Sequence, residues 1–285
     1  MASMIDIKRR KESVTSTQQI TKAMKLVSTV KLQKARTRAE QSQPYFDKMY
    51  ATVTSILQKS GNLRHPYLTA NGSEKKAVIM VSSNRGLAGG YNNNVAKLLT
   101  ESNLKKEDVE VYGVGHKAME VLTRRGYKIA ADHSDMIEEP NYGDALKLGR
   151  EVLDRYAAGE IGEIWLAYTN FKNTVVHIPK LVKLLPVEID ETKLEEEKSK
   201  VPMNYEPEAE ESLDMIIPKY VCSLIYGAFV ESHASENGAR MQAMDSATSN
   251  AEDMIASLSL AYNRARQGAI TQELTEIISG AEALN

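Results

Sequence analysis

A helix longer than any globule of this size is what most limits the shapes open to this chain. From Lys219 to Ile278 there is no proline, and Met241, Met244, Thr248, Ala251, Ile255, Leu258, Tyr262, Ala265 and Ala269 alternate spacings of three and four. That rhythm is a heptad seam, which is buried only against another helix. A run of about 60 residues at helical rise spans roughly 90 Å, whereas a compact chain of this length has a diameter of about 50 Å. The knobs of the seam are small and partly polar, a poor basis for a homodimer, so the partner helix is expected within the chain. Met4 to Leu57 is the candidate, with no glycine and one proline, Pro44, where a kink is expected. Ile20, Ala23, Val27 and Val30 recur there at spacings of three, four and three, which predicts the matching seam. At the far end Ile270, Leu274, Ile277 and Ile278 keep helical spacing almost to the last residue. Such a tip needs a cover from another protein.

Between the two helices the period changes. "KSGNLRHPYLTANGSEKK" carries the turn chemistry of a linker, with Gly61, Pro66 and Asn71-Gly72. "KKAVIMVSS", "VEVYGVG", "YKIAADHS", "EIWLAYTNFKN" and "VVHIPKLVKLLPV" read as strands, and "NNNVAKLLTES", "HKAMEVLTRRG" and "GDALKLGREVLDRYAAG" as helices. Their alternation predicts an α/β layer. Pro202 and Pro207 punctuate an acidic connection, and Pro218 marks a first turn or a kink of the last helix. The predicted fold class is α/β: a long antiparallel coiled coil of the N- and C-terminal helices with a Rossmann-like α/β domain inserted between them. The expected domains are residues 1–60, 75–207 and 208–285.

Charge excludes little in sum and more in detail. The net charge is −2, so the whole molecule exerts no pull toward nucleic acid or anionic lipid. Residues 1–40 hold ten Lys and Arg against three acids, but no aromatic lies before Pro44 to stack a base, so nucleic-acid binding is disfavoured. The single cysteine, Cys222, sits in "YVCSLIYGAF" and is expected to be a buried inert thiol. No membrane span is expected, since the longest nearly uncharged apolar run, Tyr220 to Val230, falls short of about 18 residues. Helical patterning from the first residues also argues against a leader.

Two glycine loops invite a nucleotide. "YGVGHKAM" places Gly113, Gly115 and Ala118 in the order of a dinucleotide fingerprint, with Asp132 and Asp135 near the distance of a ribose ligand. This motif defines the alternative, an NAD(P)-dependent oxidoreductase using the Gly113–Ala118 turn. The bland reading is a glycine-assisted strand-to-helix turn. "SSNRGLAGGYN" could cradle phosphate but lacks the Lys-Ser/Thr of a P-loop; otherwise Asn84 and Gly86 turn the chain and Arg85 faces solvent. His65, His116, His133, His177 and His233 have no metal-ligand spacing, and surface or satisfied core roles are expected. A third class, a coiled-coil scaffold or nucleic-acid adaptor, would use the basic N-terminal helix.

The segments "QITKAMKLVSTVKLQKA", "SSNRGLAGGYN", "SENGARMQAMDSATSNA", "YNRARQ" and "ITQELTEIISGAEA" resemble, in order and at full length, the γ subunit of F-type ATP synthases of bacterial type. The resemblance implies a central-stalk rotor shaft that couples proton- or sodium-driven rotation of a c ring to conformational cycling of catalytic β subunits. It implies no catalytic group, metal or cofactor. The implied partners are the α and β subunits of the catalytic hexamer, the ε subunit and the c ring, with one copy of the chain per complex. The implied location is peripheral, on the cytoplasmic face of the cell membrane. Carried onto this sequence, Arg266, Gln267, Thr271 and Glu273 correspond to a polar catch on β-subunit loops. Lys8, Arg9 and Lys22 would face acidic β loops, and Asn204, Tyr205 and Glu206 would meet the c ring. Lys11, Ala88 and Leu26 depart from the family's frequent residues, and the paired-cysteine insertion of chloroplast relatives is absent.

Overall fold

The computed structural model describes residues 4–60, 65–187 and 209–282. The order is α1 (Met4–Ser60), β1 (Lys76–Val81), α2 (Tyr91–Thr100), β2 (Val109–Val114), α3 (His116–Arg124), β3 (Lys128–Asp132), α4 (Tyr142–Ala157), β4 (Glu163–Phe171), β5 (His177–Leu185) and α5 (Ala209–Glu282). The predicted class holds: a mixed α/β sheet between two long helices. Pro44 lies inside α1, and Pro218 lies nine residues into α5 rather than in its first turn. The chain divides into two compact units, Thr29–Arg240, and Met1–Ser28 with Met241–Asn285.

In the first unit the strands lie in the order β3-β2-β1-β4-β5. The first four are parallel neighbours and β5 runs antiparallel against β4. Strands β1 and β2 are buried almost throughout, as parallel strands covered on both faces must be. On one face Ile79, Tyr112, Ile164 and Leu166 pack with Leu148 and Val152 of α4, Ile56 of α1, and Ile217, Val221, Ile225 and Phe229 of α5. On the other face Val78, Met80, Val111 and Ala167 pack with Val95 and Leu99 of α2 and with Ala118 and Leu122 of α3. Cys222 is buried in the first of these layers with its thiol pKa raised by burial, and a Cβ on Gly149 would lie 2.5 Å from its sulfur. The apolar character of α5 follows from this packing. It contains an 18-residue window of mean hydropathy 1.4, long and apolar enough to cross a membrane by composition, contrary to expectation, yet 56% of that window is buried within the protein.

Two carboxylates tie the strands together at their starts. Glu110, 6% exposed, accepts from Lys128 of β3 and, at 2.8 Å, from Arg155 of α4. Glu163 pairs with Lys76 at 2.9 Å and Lys183 at 3.4 Å and accepts from the Trp165 indole. Burial opposes ionisation of both acids, but the cations and hydrogen bonds outweigh it and hold both pKa values below the usual carboxylate range. A depressed folded pKa gives stability that is fully present above the unfolded value and is lost as pH falls through the folded one. A Glu110→Gln, Glu163→Gln double variant should therefore lose less Tm than the parent between about pH 5 and pH 3. Parallel acid dependence in thermal melts of the two proteins would refute this.

In the second unit α1 and α5 are antiparallel. Gln18 bonds Glu252 at 3.1 Å, Thr21 meets Thr248 at 2.8 Å, and Lys25 pairs with Asp245, so one number falls as the other rises. On α5 the predicted seam is correct at its start, with Met244, Thr248 and Ala251 buried and Ile255, Leu258, Tyr262 and Ala265 half-buried, but Ala269 is exposed. On α1 the predicted seam is wrong. Ile20 and Val27 are 58% and 59% exposed, Ala23 is exposed, and in the other unit Val30 is 57% exposed. The face turned inward instead carries Ile7, Lys11, Val14, Gln18, Thr21, Lys25 and Ser28, at strict spacings of four and three. Hydropathy picked a different face of the same helix, centred about 150° away. Opposite this row α5 offers Asp245, Thr248 and Glu252, which pair with Lys25, Thr21 and Gln18 and have nothing to bond on a valine.

Candidate partner-binding surface

The two sets of predicted contact residues that fall within the described chain lie on α1 and α5 in the same unit. Arg266, Gln267, Thr271 and Glu273 are all exposed on α5. The Thr271 hydroxyl donates back to the Gln267 carbonyl of its own helix at 2.9 Å. Arg266 and Glu273 have no ion pair among the described residues. A guanidinium, an amide, a hydroxyl and a carboxylate therefore stand ready within two helical turns, a combination suited to directional grip on carboxylates and backbone groups. Between them Ile270, Leu274, Ile277 and Ile278 are 50%, 55%, 63% and 58% exposed. From Arg266 to Ala281 every residue is exposed. Exposed apolar side chains so closely spaced mark an interaction surface.

Lys8, Arg9 and Lys22 are exposed on α1. Lys8 also lines a groove of about 470 Å³ with Lys11, Thr15 and Tyr262. No hydrogen bond or ion pair joins these cations to the Arg266 set among the described residues. Asn204, Tyr205 and Glu206 lie outside the described residues.

The dinucleotide fingerprint has the strand–turn–helix setting its motif requires, at the junction of β2 and α3, yet the seat is filled by the chain itself. The α3 amides that would bind a pyrophosphate are taken: His116 N–H by Asn84 Oδ1 at 3.2 Å, Lys117 N–H by the Ser83 carbonyl at 3.0 Å, and Ala118 N–H by Ser82 Oγ at 3.2 Å. A Cβ on Gly113 would overlap the Met119 side chain, and one on Gly115 would come within 2.3 Å of the Ser82 carbonyl oxygen. Gly113 lets α3 pack on β2, and Gly115 lets the turn pack on Ser82. Asp132 accepts from Ser134 and stands 3.6 Å from His116, a local tie at the end of β3.

The loop between β1 and α2 also differs from expectation in detail. Asn84 does turn the chain, by bridging to His116 and to the Ser134 carbonyl, and Asn92 accepts from Ser83. The left-handed residue is Leu87 at φ 62°, with Gly89 at φ 56°; Gly86 has open space around its Cβ position and no need of its freedom. Arg85 is exposed, 3.9 Å from Glu138.

Behind this loop lies a polar layer that hydropathy did not indicate. Glu236 and Arg240 of α5, 8% and 9% exposed, pair at 2.7 Å, and Arg240 reaches the carbonyls of Arg85 and Gly86. Ser232 Oγ accepts from Thr169 N–H, and the Tyr91 hydroxyl donates to the Ser232 carbonyl. Burial raises the Glu236 pKa against the pull of Arg240. Burial, with Lys31 and Arg38 nearby, pushes His233 down to about 4, so it is neutral. The readable signal is the spacing of Ser232, Ser235, Glu236 and Arg240 along one side of a helix. The other histidines are local: His65 is buried against Asp214 at 3.1 Å and His133 lies 3.0 Å from Glu151, while burial lowers the pKa of His177. No group of three or more potential metal ligands occurs among the described residues.

Comparison with known proteins places the chain among described families. The family model described as ATP synthase matches residues 3–284. The chain is 64% identical over 291 residues to the ATP synthase gamma chain of Lachnoclostridium phytofermentans, with both chains covered completely. It is 44% identical to the sodium ion specific ATP synthase gamma chain of Acetobacterium woodii, over 98% of each. Among solved structures it is similar to a chain of the central stalk and c ring of Tetrahymena thermophila mitochondrial ATP synthase, at 25% identity and TM-score 0.59, over 80% of this chain and 99% of that one. It shares its fold with a chain of the Euglena gracilis mitochondrial ATP synthase at 19% identity and TM-score 0.69, over 99% of this chain and 94% of that one.

Proposed function

The chain belongs to the ATP synthase family as a gamma chain, the rotor subunit of the central stalk in that membrane-associated complex, and we propose that it works purely by contact, with no catalytic group of its own. Its terminal helices turn inside a hexamer of α and β subunits. The asymmetry of their surface biases the three β subunits into different conformations, and rotation cycles each through binding, chemistry and release. Arg266, Gln267, Thr271 and Glu273 grip β-subunit loops, with Lys8, Arg9 and Lys22 facing acidic groups. The apolar tip at Ile270, Leu274, Ile277 and Ile278 sits in a collar of the surrounding subunits. Asn204, Tyr205 and Glu206 meet the c ring, and the ε subunit docks on the sheet-containing unit. One copy serves each complex, on the cytoplasmic face of a bacterial membrane. The coupling ion is a proton or sodium; a relative 44% identical is sodium specific.

One observation carries this reading: from Arg266 to Ala281 α5 has sixteen successive exposed residues that combine polar groups with exposed isoleucines and leucine. Such a surface is costly in water and useful only inside another protein. The oxidoreductase alternative finds no support, because its phosphate seat is occupied by the chain's own loop. Mixing purified α and β subunits with the full-length chain should give a single gel-filtration peak containing one copy of it, with ATPase activity raised severalfold. Separate elution of the folded chain with unchanged activity would defeat the proposal.

A further inference from the structure

Between residues 18 and 28 the inner face of α1 is the more polar of the two that the helix offers. Thr21 and Ser28 are 8% and 3% exposed, while Ile20 and Val27, one position away, are 58% and 59% exposed. One residue along a helix is about 100° around it. Removal of apolar surface from water, acting alone, would roll α1 by about 150° and bury the Ile20–Ala23–Val27 stripe.

Three cross-helix contacts on successive turns oppose the roll. The Gln18 amide donates to Glu252 Oε1 at 3.1 Å, the hydroxyls of Thr21 and Thr248 meet at 2.8 Å, and the Lys25 ammonium pairs with Asp245. The threonine pair is the buried member, and it is self-sufficient. Thr21 lies 3.0 Å from its own helix's Gln18 carbonyl and Thr248 lies 2.7 Å from that of Met244, so one hydroxyl donates across while the other donates along its helix. All three contacts exist in one rotational phase only. We propose that Gln18, Thr21 and Lys25 are positioning residues that select which face of α1 enters the seam and so keep the Ile20–Ala23–Val27 stripe outward. Polar groups in coiled-coil seams specify alignment at a cost in stability, and here the alignment specified is the roll of a single helix. The inference stands apart from the rotor reading, since it concerns two segments of this chain and no partner.

Thiol labelling of the full-length chain tests it, because native Cys222 is buried. Val27→Cys and Ser28→Cys report the outward and inward faces, and in the parent the first should label about tenfold or more faster than the second. In the Gln18→Ala, Thr21→Ala, Lys25→Ala background the order should reverse, as the stripe turns inward and position 28 emerges. Thr21→Ser alone keeps the hydroxyl and should keep the parental order. An unchanged order in the triple variant would overturn the proposal. So would equal labelling of both reporters at the rate of a free thiol, which would mean that the trio holds the helices together without choosing a face.

Discussion

Replacing Arg266 and Gln267 together by alanine should leave the chain folded and cut ATP-driven ion pumping by about tenfold or more. The two halves of that expectation rest on different facts. Both residues are exposed on α5 in an uninterrupted helix, and neither is part of an ion pair among the described residues. Alanine is the best helix former, so the thermal midpoint of the isolated chain should move by less than about 2 °C. The loss of function follows from where such groups are placed. A guanidinium held by carboxylate or carbonyl acceptors in a desolvated contact contributes far more than an exposed pair does, and a catch under load fails when its charge-assisted bonds are gone. Arg266→Lys should recover only part of the pumping, because a point charge lacks the planar fork. Proton or sodium uptake by vesicles carrying the assembled complex, set against ATPase activity in the same preparation, separates coupling from catalysis. Parental pumping by the double variant would show that grip is distributed elsewhere along α5.

The parts of the fold that were legible in the sequence are those written in repeated residue types. The heptad of α5 was visible because methionine, threonine, alanine and leucine recur at strict spacing, and Met244, Thr248 and Ala251 are indeed buried. The strands were visible as short β-branched runs ended by Gly113, Gly115 and Asn84. The seam of α1 was not, since hydropathy favours Ile20 and Val27 while the helix partners through Gln18, Thr21 and Lys25. A hydrogen bond between two threonines has no signature in either segment alone. The same limit hid Glu236 and Arg240, whose burial depends on a loop some 150 residues earlier in the chain. Of the contact surface, Arg266, Gln267, Thr271 and Glu273 came from family resemblance, and their exposure agrees with a binding role without assigning the partner. The dinucleotide fingerprint was real as a strand–turn–helix signal. Its meaning turned on which acceptors meet the α3 amides, and those acceptors lie on a different strand's loop.

That distinction yields the largest stability effect expected in the molecule. Gly115→Ala should cost about 3–5 kcal/mol, enough to leave a marginally stable chain largely unfolded. Gly115 sits at φ 107°, outside the region open to residues with a side chain, and the new Cβ would lie 2.3 Å from the Ser82 carbonyl oxygen and 2.9 Å from Ser82 Oγ. Relief by movement is blocked on both sides. Ser82 N–H donates to the Val114 carbonyl at 2.7 Å as the continuation of the β1–β2 ladder, and Ser82 Oγ donates to the Gly115 carbonyl while accepting from Ala118 N–H. Pushing the strands apart would thus break the last rung of the sheet and strip α3 of an amide partner at once. Two other glycines separate conformation from contact. Gly159 has φ 75° with nothing within 4 Å of its Cβ position, so Gly159→Ala should cost only the backbone strain, about 1 kcal/mol. Gly86 has neither a left-handed φ nor a near neighbour, and Gly86→Ala should be neutral or slightly stabilising through the unfolded state. Urea unfolding of the three variants should rank them in that order, with Gly115→Ala far below the others. Equal midpoints for Gly115→Ala and Gly159→Ala would mean that the β2–α3 turn yields easily, and the closed phosphate seat would then owe nothing to the close approach of Ser82.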